Sequence, residues 1–452
     1  MTEHSVIGLR KLSEQLQRGE LTSVALVKTS LAKAQASESV FIRINSDLLS
    51  LAEVIDSNRH KNTPPLAGIP ITLKDLFNVR NETTLAGSIA LKHNARAEAQ
   101  DAEVVAPLRD AGLLFLGRTN MSEFAFSGMG KNPHYGTPLS IWDRDTGRLP
   151  GGSSSGSAVS VAEGIVAATL GSDTAGSCRI PAAFNGIVGV KPSFGRMSLN
   201  GIYPLSPTSD APGPLAVDVD SCFILDQLMS GQHKPGLALP SIKPRAVDSL
   251  RLVIPDGQVM ADLDAEVKSD FYRSIEQLAD AGANIETVAM PVLDDCIDMF
   301  ANRAIALYEA YQHHQHLLEK YLDEYDPFVG HRINTGSALS EAEQQERYRE
   351  KATLIEQFNR QFAKLEADAI LYPTVACVPP AISSTDDLEQ SRKVNLRCLR
   401  NTATANYFDG CSISLPCHRP GNAPVGLMLS AVNGMDESLY RSAAAVESVL
   451  AG

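Results

Sequence analysis

Two runs decide how this chain is read: Arg148-Leu149-Pro150-Gly151-Gly152-Ser153-Ser154-Ser155-Gly156-Ser157, then Gly171-Ser172-Asp173-Thr174-Ala175-Gly176-Ser177-Cys178-Arg179-Ile180-Pro181. Ser153 and Ser177 each fall in a glycine-rich turn. A serine flanked by small residues admits a substrate closely, and the neighbouring backbone N–H groups are free to point at it. Upstream, the apolar segment Gly68-Ile69-Pro70-Ile71-Thr72-Leu73 ends in a single lysine, Lys74, followed by Asp75. A lysine delivered by an apolar strand can be held neutral by desolvation and so act as a base. These are the parts of a serine hydrolase that needs no histidine.

Working outward, the pattern predicts an α/β protein with a largely covered sheet. A helix is expected over about 5–18, stopping at Gly19, and a second after Thr22 with Val24, Val27 and Leu31 at helical spacing. Pro70–Leu73 reads as a buried strand ending at Lys74, 102–112 as a helix, and Leu113–Gly117 as the next buried strand. Residues 127–153 read as a loop, Ser157–Ala168 as a helix of small residues, and Leu170–Asp173 as a strand into the second glycine turn. Helical patterns follow over 263–283, 296–325 and 340–366, strands at 368–372, 411–416 and 425–429, and a final helix. The stretch 232–249 is the best linker candidate.

The two glycine runs, with Gly189-Val190-Lys191-Pro192, closely resemble the amidase signature family. The resemblance extends to the Gly68–Asp75 run and to Gly117-Arg118-Thr119-Asn120-Met121-Ser122-Glu123-Phe124. Downstream it takes in Gly201-Ile202-Tyr203-Pro204-Leu205-Ser206-Pro207-Thr208-Ser209-Asp210 and Pro212–Ala216. The family's fold is α/β/α, with a twisted mixed central sheet covered by helices on both faces. The resemblance implies one amidase domain over 1–452, with the signature core at about 65–220 and a more variable, pocket-forming part at about 220–400.

Carried over residue by residue, it implies a Ser–cis-Ser–Lys triad: Ser177 as nucleophile, Ser153 as bridging serine and Lys74 as base. The cis peptide is either Gly152–Ser153 or Ser153–Ser154. The N–H groups of Thr174, Ala175, Gly176 and Ser177 would form the oxyanion hole. Ser154, Ser172 and Asp173 would support the triad, and Arg179 would either orient the turn or meet a substrate carbonyl or carboxylate. The expected activity is hydrolysis of a small carboxamide to a carboxylate and ammonia or an amine, with no cofactor and no metal. Two departures stand out: Ser155 and Ala175 occupy positions where many members carry glycine. Both variants also look like the allophanate-hydrolase branch, so an allophanate- or carboxybiuret-type substrate stays open. So does the role of the glutaminase component in a tRNA-dependent amidotransferase. A scaffold on a degenerate amidase fold is disfavoured by the intact Lys74, Ser153 and Ser177.

Bulk properties narrow the partners. The net charge of -13 and pI near 5.3 argue against nucleic acid or an anionic membrane surface. The seven scattered cysteines form no CxxC pair and read as a reducing, cytoplasmic compartment. The partner is then a small-molecule amide, with a homodimer left open. Two rival signals are weaker. Gly152–Gly156 fits G-x-S-x-G with Ser154 as nucleophile, which needs a histidine such as His331 or His418. His313, His314 and His316 suggest a metal site, but a solvated helix face is the expected reading. No Walker A or GxGxxG loop is present. Loops at 121–142, 296–335 and 375–400 are expected to shape the pocket, with Tyr308, Arg332 and Trp142 as candidate lining residues.

Overall fold

Pro70–Lys74 is buried at every position because this strand runs between two neighbours in the middle of a sheet. The computed structural model describes residues 7–302 and 305–451. Its strands are β1 (Phe41–Ile44), β2 (Pro70–Lys74), β3 (Leu114–Thr119), β4 (Ala168–Asp173), β5 (Val188–Lys191), β6 (Ala211–Ala216), β7 (Arg251–Asp256), β8 (Asn284–Ala289), β9 (Ala369–Pro373), β10 (Cys411–Pro416) and β11 (Gly426–Ala431). They form one 11-stranded sheet in the order β1-β3-β2-β4-β6-β5-β10-β11-β9-β7-β8. The sheet is mixed: β3, β2 and β4 run parallel, as do β9, β7 and β8, while the strands between them are antiparallel.

Side chains alternate across a strand, so successive residues meet different helix layers. Leu114 and Leu116 of β3 pack with Val27, Ala52 and Val159 from helices Ser23–Ala36, Leu48–Ser57 and Ser155–Ala162. Phe115, between them, joins the larger core with Leu108 and Leu225. Helices therefore cover both faces. Thr72 of β2 faces the first layer, its hydroxyl 3.0 Å from Ser160 Oγ. Lys74, two residues on, is directed to that same face.

Several predicted elements shift. The first helix is Leu9–Arg18, closed by Gly19 in the left-handed conformation; its predicted start at residues 5 and 6 lies outside the described residues. The predicted helix over 102–112 shortens to Ala106–Asp110. The small-residue helix runs Ser155–Ala162 rather than Ser157–Ala168, because Gly164 at φ 66 breaks it and Ala168 already opens β4. The 232–249 stretch lies against both halves of the chain. Arg10 donates to its Pro240 carbonyl, and Arg245 N–H donates to Arg441 O at 3.1 Å. Strands from before and after it pair directly, β5 with β10.

Candidate active site

β2 and β4 are parallel neighbours, so their carboxyl ends open side by side, the usual place for a site in such sheets. β2 delivers Lys74 there and β4 delivers Ser172 and Asp173. Lys74 Nζ donates to Ser153 Oγ at 2.6 Å and lies 2.8 Å from Ser172 Oγ. Lys74 and Ser153 are fully buried. Among the described residues no carboxylate lies within ion-pair distance of Lys74. Burial therefore lowers its pKa from 10.5 to about 8, only partly offset by the fields of Cys178, Asp173 and Asp210. A neutral amine is accessible there near neutral pH.

Ser153 enters on a cis peptide after Gly152, which resolves the choice between the two bonds. A Cβ at residue 152 would lie 2.5 Å from Gly130 N, so only glycine lets the two loops approach. Ser153 O accepts the Ser122 N–H at 3.1 Å, and Ser154 N–H donates to Ser177 O at 3.2 Å, tying the two glycine turns together. The Ser154 hydroxyl is buried and donates to Ser172 O at 3.3 Å. His418 packs instead beside Gly186, on the far end of helix Arg179–Asn185. Among the described residues, no hydrogen bond joins Ser177 Oγ to Ser153 Oγ.

Arg179 turns inward and is absent from the lining of the cavity beside Ser177. Its guanidinium is fully buried and pairs in bidentate fashion with Asp173, Nε to Oδ2 at 3.0 Å and Nη2 to Oδ1 at 2.9 Å. Nη2 also donates to Asn406 Oδ1 at 2.7 Å. Burial alone would raise the Asp173 pKa; Arg179 and the N–H donors outweigh it and hold the carboxylate at about 2.

Gly176 departs from its expected role. Its N–H is committed to Asp173 Oδ1 at 2.8 Å, just as the Cys178 N–H is to Oδ2 at 3.0 Å. The N–H groups of Thr174, Ala175 and Ser177 have no such partner among the described residues. The Gly176 backbone sits at φ 133, and a Cβ there would lie 2.1 Å from Thr402 Oγ1. That hydroxyl donates to Ala175 O at 2.7 Å. Ala175 itself is outside the positive-φ region, so alanine is accommodated without strain.

Ser177, Thr174 and Ala175 open onto a cavity of about 280 Å³. Its walls come from residues 125–128, from Phe300, Ala301, Ala306 and Leu307, from residues of 331–335 and 392–399, all within the three segments expected to shape it, and from Leu205, Ser209 and Tyr407. Arg332 and His331 line it; Tyr308 and Trp142 do not, and Trp142 instead packs under Arg148. The histidine cluster is not a solvated face throughout: His314 is buried, its Nδ1 2.9 Å from the Tyr325 hydroxyl, while His313 is exposed. Asn406, Thr402 and Asn395 escaped the sequence reading. Asn395 Oδ1 accepts the Gly128 N–H at 2.8 Å and so holds the cavity wall. No local pattern marks any of the three.

The family model described as Amidase matches residues 20–440, and the chain belongs to that family. The 2-amino-5-chloromuconic acid deaminase of Comamonas testosteroni is 31% identical over 462 residues, covering 98% of this chain and 96% of that protein. A component of the glutamyl-tRNA(Gln) amidotransferase of Koribacter versatilis is 32% identical, covering 96% of this chain and 97% of its own. A crystal structure of an amidase superposes with a TM-score of 0.87 at 30% identity, covering 98% of this chain and 99% of that one. No helix of the described residues is long and apolar enough to cross a membrane.

Proposed function

We propose that this chain hydrolyses the carbon–nitrogen bond of a small carboxamide through a serine acyl-enzyme. The observation that carries the reading is the buried Lys74 amine, 2.6 Å from Ser153 Oγ, with no carboxylate within ion-pair distance among the described residues to hold it charged. Ser177 Oγ attacks the carbonyl carbon while its proton passes to Ser153 Oγ, and the Ser153 proton passes to Lys74. The N–H groups of Thr174, Ala175 and Ser177 receive the developing oxyanion. The carbon–nitrogen bond then breaks, and the proton returns through Ser153 to the leaving ammonia or amine. Water attacks the acyl-enzyme along the same proton path, which releases the carboxylic acid and restores Ser177.

We read residues 1–452 as one amidase domain, supported by the family match over 20–440 and by the continuous sheet. Seven free, buried thiols support a cytoplasmic setting.

A fluorophosphonate adduct located by peptide mass mapping tests the assignment. One adduct on Ser177 that fades in Lys74→Ala, with ammonia released from simple amides, is expected; an adduct on Ser154 would overturn it. The full-length similarity to the amidotransferase component favours a second reading, a glutaminase whose ammonia passes to a partner. Activity of the purified chain alone on simple amides, with none on glutamine, would reject that reading. Allophanate belongs in the same amide panel.

A further inference from the structure

Two arginines without acidic partners stand in the cavity beside Ser177. Arg332 and Arg392 both line it, and no aspartate or glutamate does. Among the described residues neither guanidinium forms an ion pair, although acidic residues outnumber lysines and arginines 53 to 40 in this chain. Buried or half-buried arginines elsewhere do pair: Arg118 with Asp75, Arg179 with Asp173 and Arg196 with Asp226. Of the two cavity arginines, Arg332 is half-buried and Arg392 exposed, so the cost of lacking a partner falls on Arg332. A cationic group inside an apolar wall costs free energy unless something compensates it.

Arg332 is held rigidly. Its guanidinium carbon lies 4.7 Å from the Phe126 ring centre and 5.2 Å from that of Phe328. Nη1 donates to Phe126 O at 2.9 Å, and its other N–H groups have no partner among the described residues. Burial, with Arg392 nearby, lowers its pKa to about 10. Both features point to an anion as the missing partner. The other walls are largely apolar, including Phe300, Leu307, Leu396 and Leu399.

We infer that the cavity takes an amide whose acyl part is a short apolar chain ending in a carboxylate, bound by Arg332 and Arg392. The inference rests on the serine reading above. With ammonia as leaving group, the cavity beside Ser177 has only the acyl part to hold. A planar guanidinium suits a carboxylate, and charge-assisted hydrogen bonds are the strong ones.

The test compares glutaramic and adipamic acids with pentanamide and hexanamide, in wild type, Arg392→Gln, Arg392→Lys and Arg332→Gln. Wild type is expected to prefer the acids by about ten- to hundredfold in kcat/KM, the loss typical of a charged hydrogen bond. That preference should weaken as salt is raised. It should shrink in Arg392→Gln and persist in part in Arg392→Lys. Arg392 is exposed, so its variants report even if Arg332→Gln, which loses a stacked side chain, fails to fold. Equal rates for acids and neutral amides, in protein that labels at Ser177, would overturn the inference. So would a preference unchanged in both glutamine variants. If Ser177 does not label, the serine reading fails separately, and calorimetry with adipate decides. Binding weakened by Arg392→Gln supports the carboxylate site, and no binding to wild type overturns it.

Discussion

Lys74 Nζ lies 2.6 Å from Ser153 Oγ at the carboxyl end of a fully buried strand, and Ser172 Oγ is 2.8 Å away on the parallel neighbour. Both partners are neutral hydroxyls. A carboxylate in either place would hold the amine charged and useless as a base. The serines instead orient it while burial strips its hydration.

From this follows the pH dependence of the proposed reaction. The base works unprotonated, so kcat/KM should rise with pH and level off above about 8, the lowered Lys74 value. Lys74→Met should lower kcat by about 10² to 10⁴, the range for losing a general base. A steady-state pH profile on a neutral amide checks both, and a flat profile through that region would count against Lys74.

Ser153 and Ser154 are adjacent but should respond differently. Ser153→Ala removes the hydroxyl on Lys74 and should lower kcat by about 10² to 10⁴. Ser154→Ala removes one hydrogen bond to a carbonyl, worth about 1 kcal/mol, so its rate should stay within about tenfold. Side-by-side kinetics settle this, and the reverse ranking would favour the histidine-assisted elbow.

The Asp173–Arg179 pair is a stability device. Asp173→Asn leaves a buried guanidinium uncompensated and should cost about 3 to 5 kcal/mol in urea unfolding. Asp173→Asn with Arg179→Met should cost less than the sum of the two single changes. Because the Asp173 pKa is depressed, its contribution is fully present above 3.8 and is lost as pH falls through about 2. Acid titration of the unfolding midpoint should show this loss in wild type and not in Asp173→Asn.

The small residues that precede Ser177 are not equivalent. Gly176→Ala forces a Cβ into Thr402 at a positive φ, so the turn must shift. A displacement of about 1 Å at a reacting group can cost about 10²-fold in rate. Ala175→Gly keeps the N–H and should alter kcat by less than about tenfold, with up to about 1 kcal/mol lost in stability. Rate and melting temperature for both variants check the contrast.

Much of this protein was legible in its sequence because the signals are local. Pro70–Lys74 reads as a strand from apolar residues at short range, and Gly151 and Gly176 announce turns by their freedom at φ. The chemical identities of Lys74, Ser153 and Ser177 are likewise written in those short runs. Local reading failed where small residues suit helix and strand alike: Ala167 and Ala168 continue the helical pattern, yet Ala168 pairs with Ala216 across the sheet. Tertiary structure alone decided that Arg179 turns inward to Asp173 and Asn406, and that the Gly176 N–H is spent on Asp173. It alone set Arg392 beside Arg332 at the Ser177 cavity. The reason is physical: conformational preference and side-chain chemistry belong to neighbouring residues, whereas the partner of a buried charge is chosen only when the closed sheet brings distant segments together and excludes water.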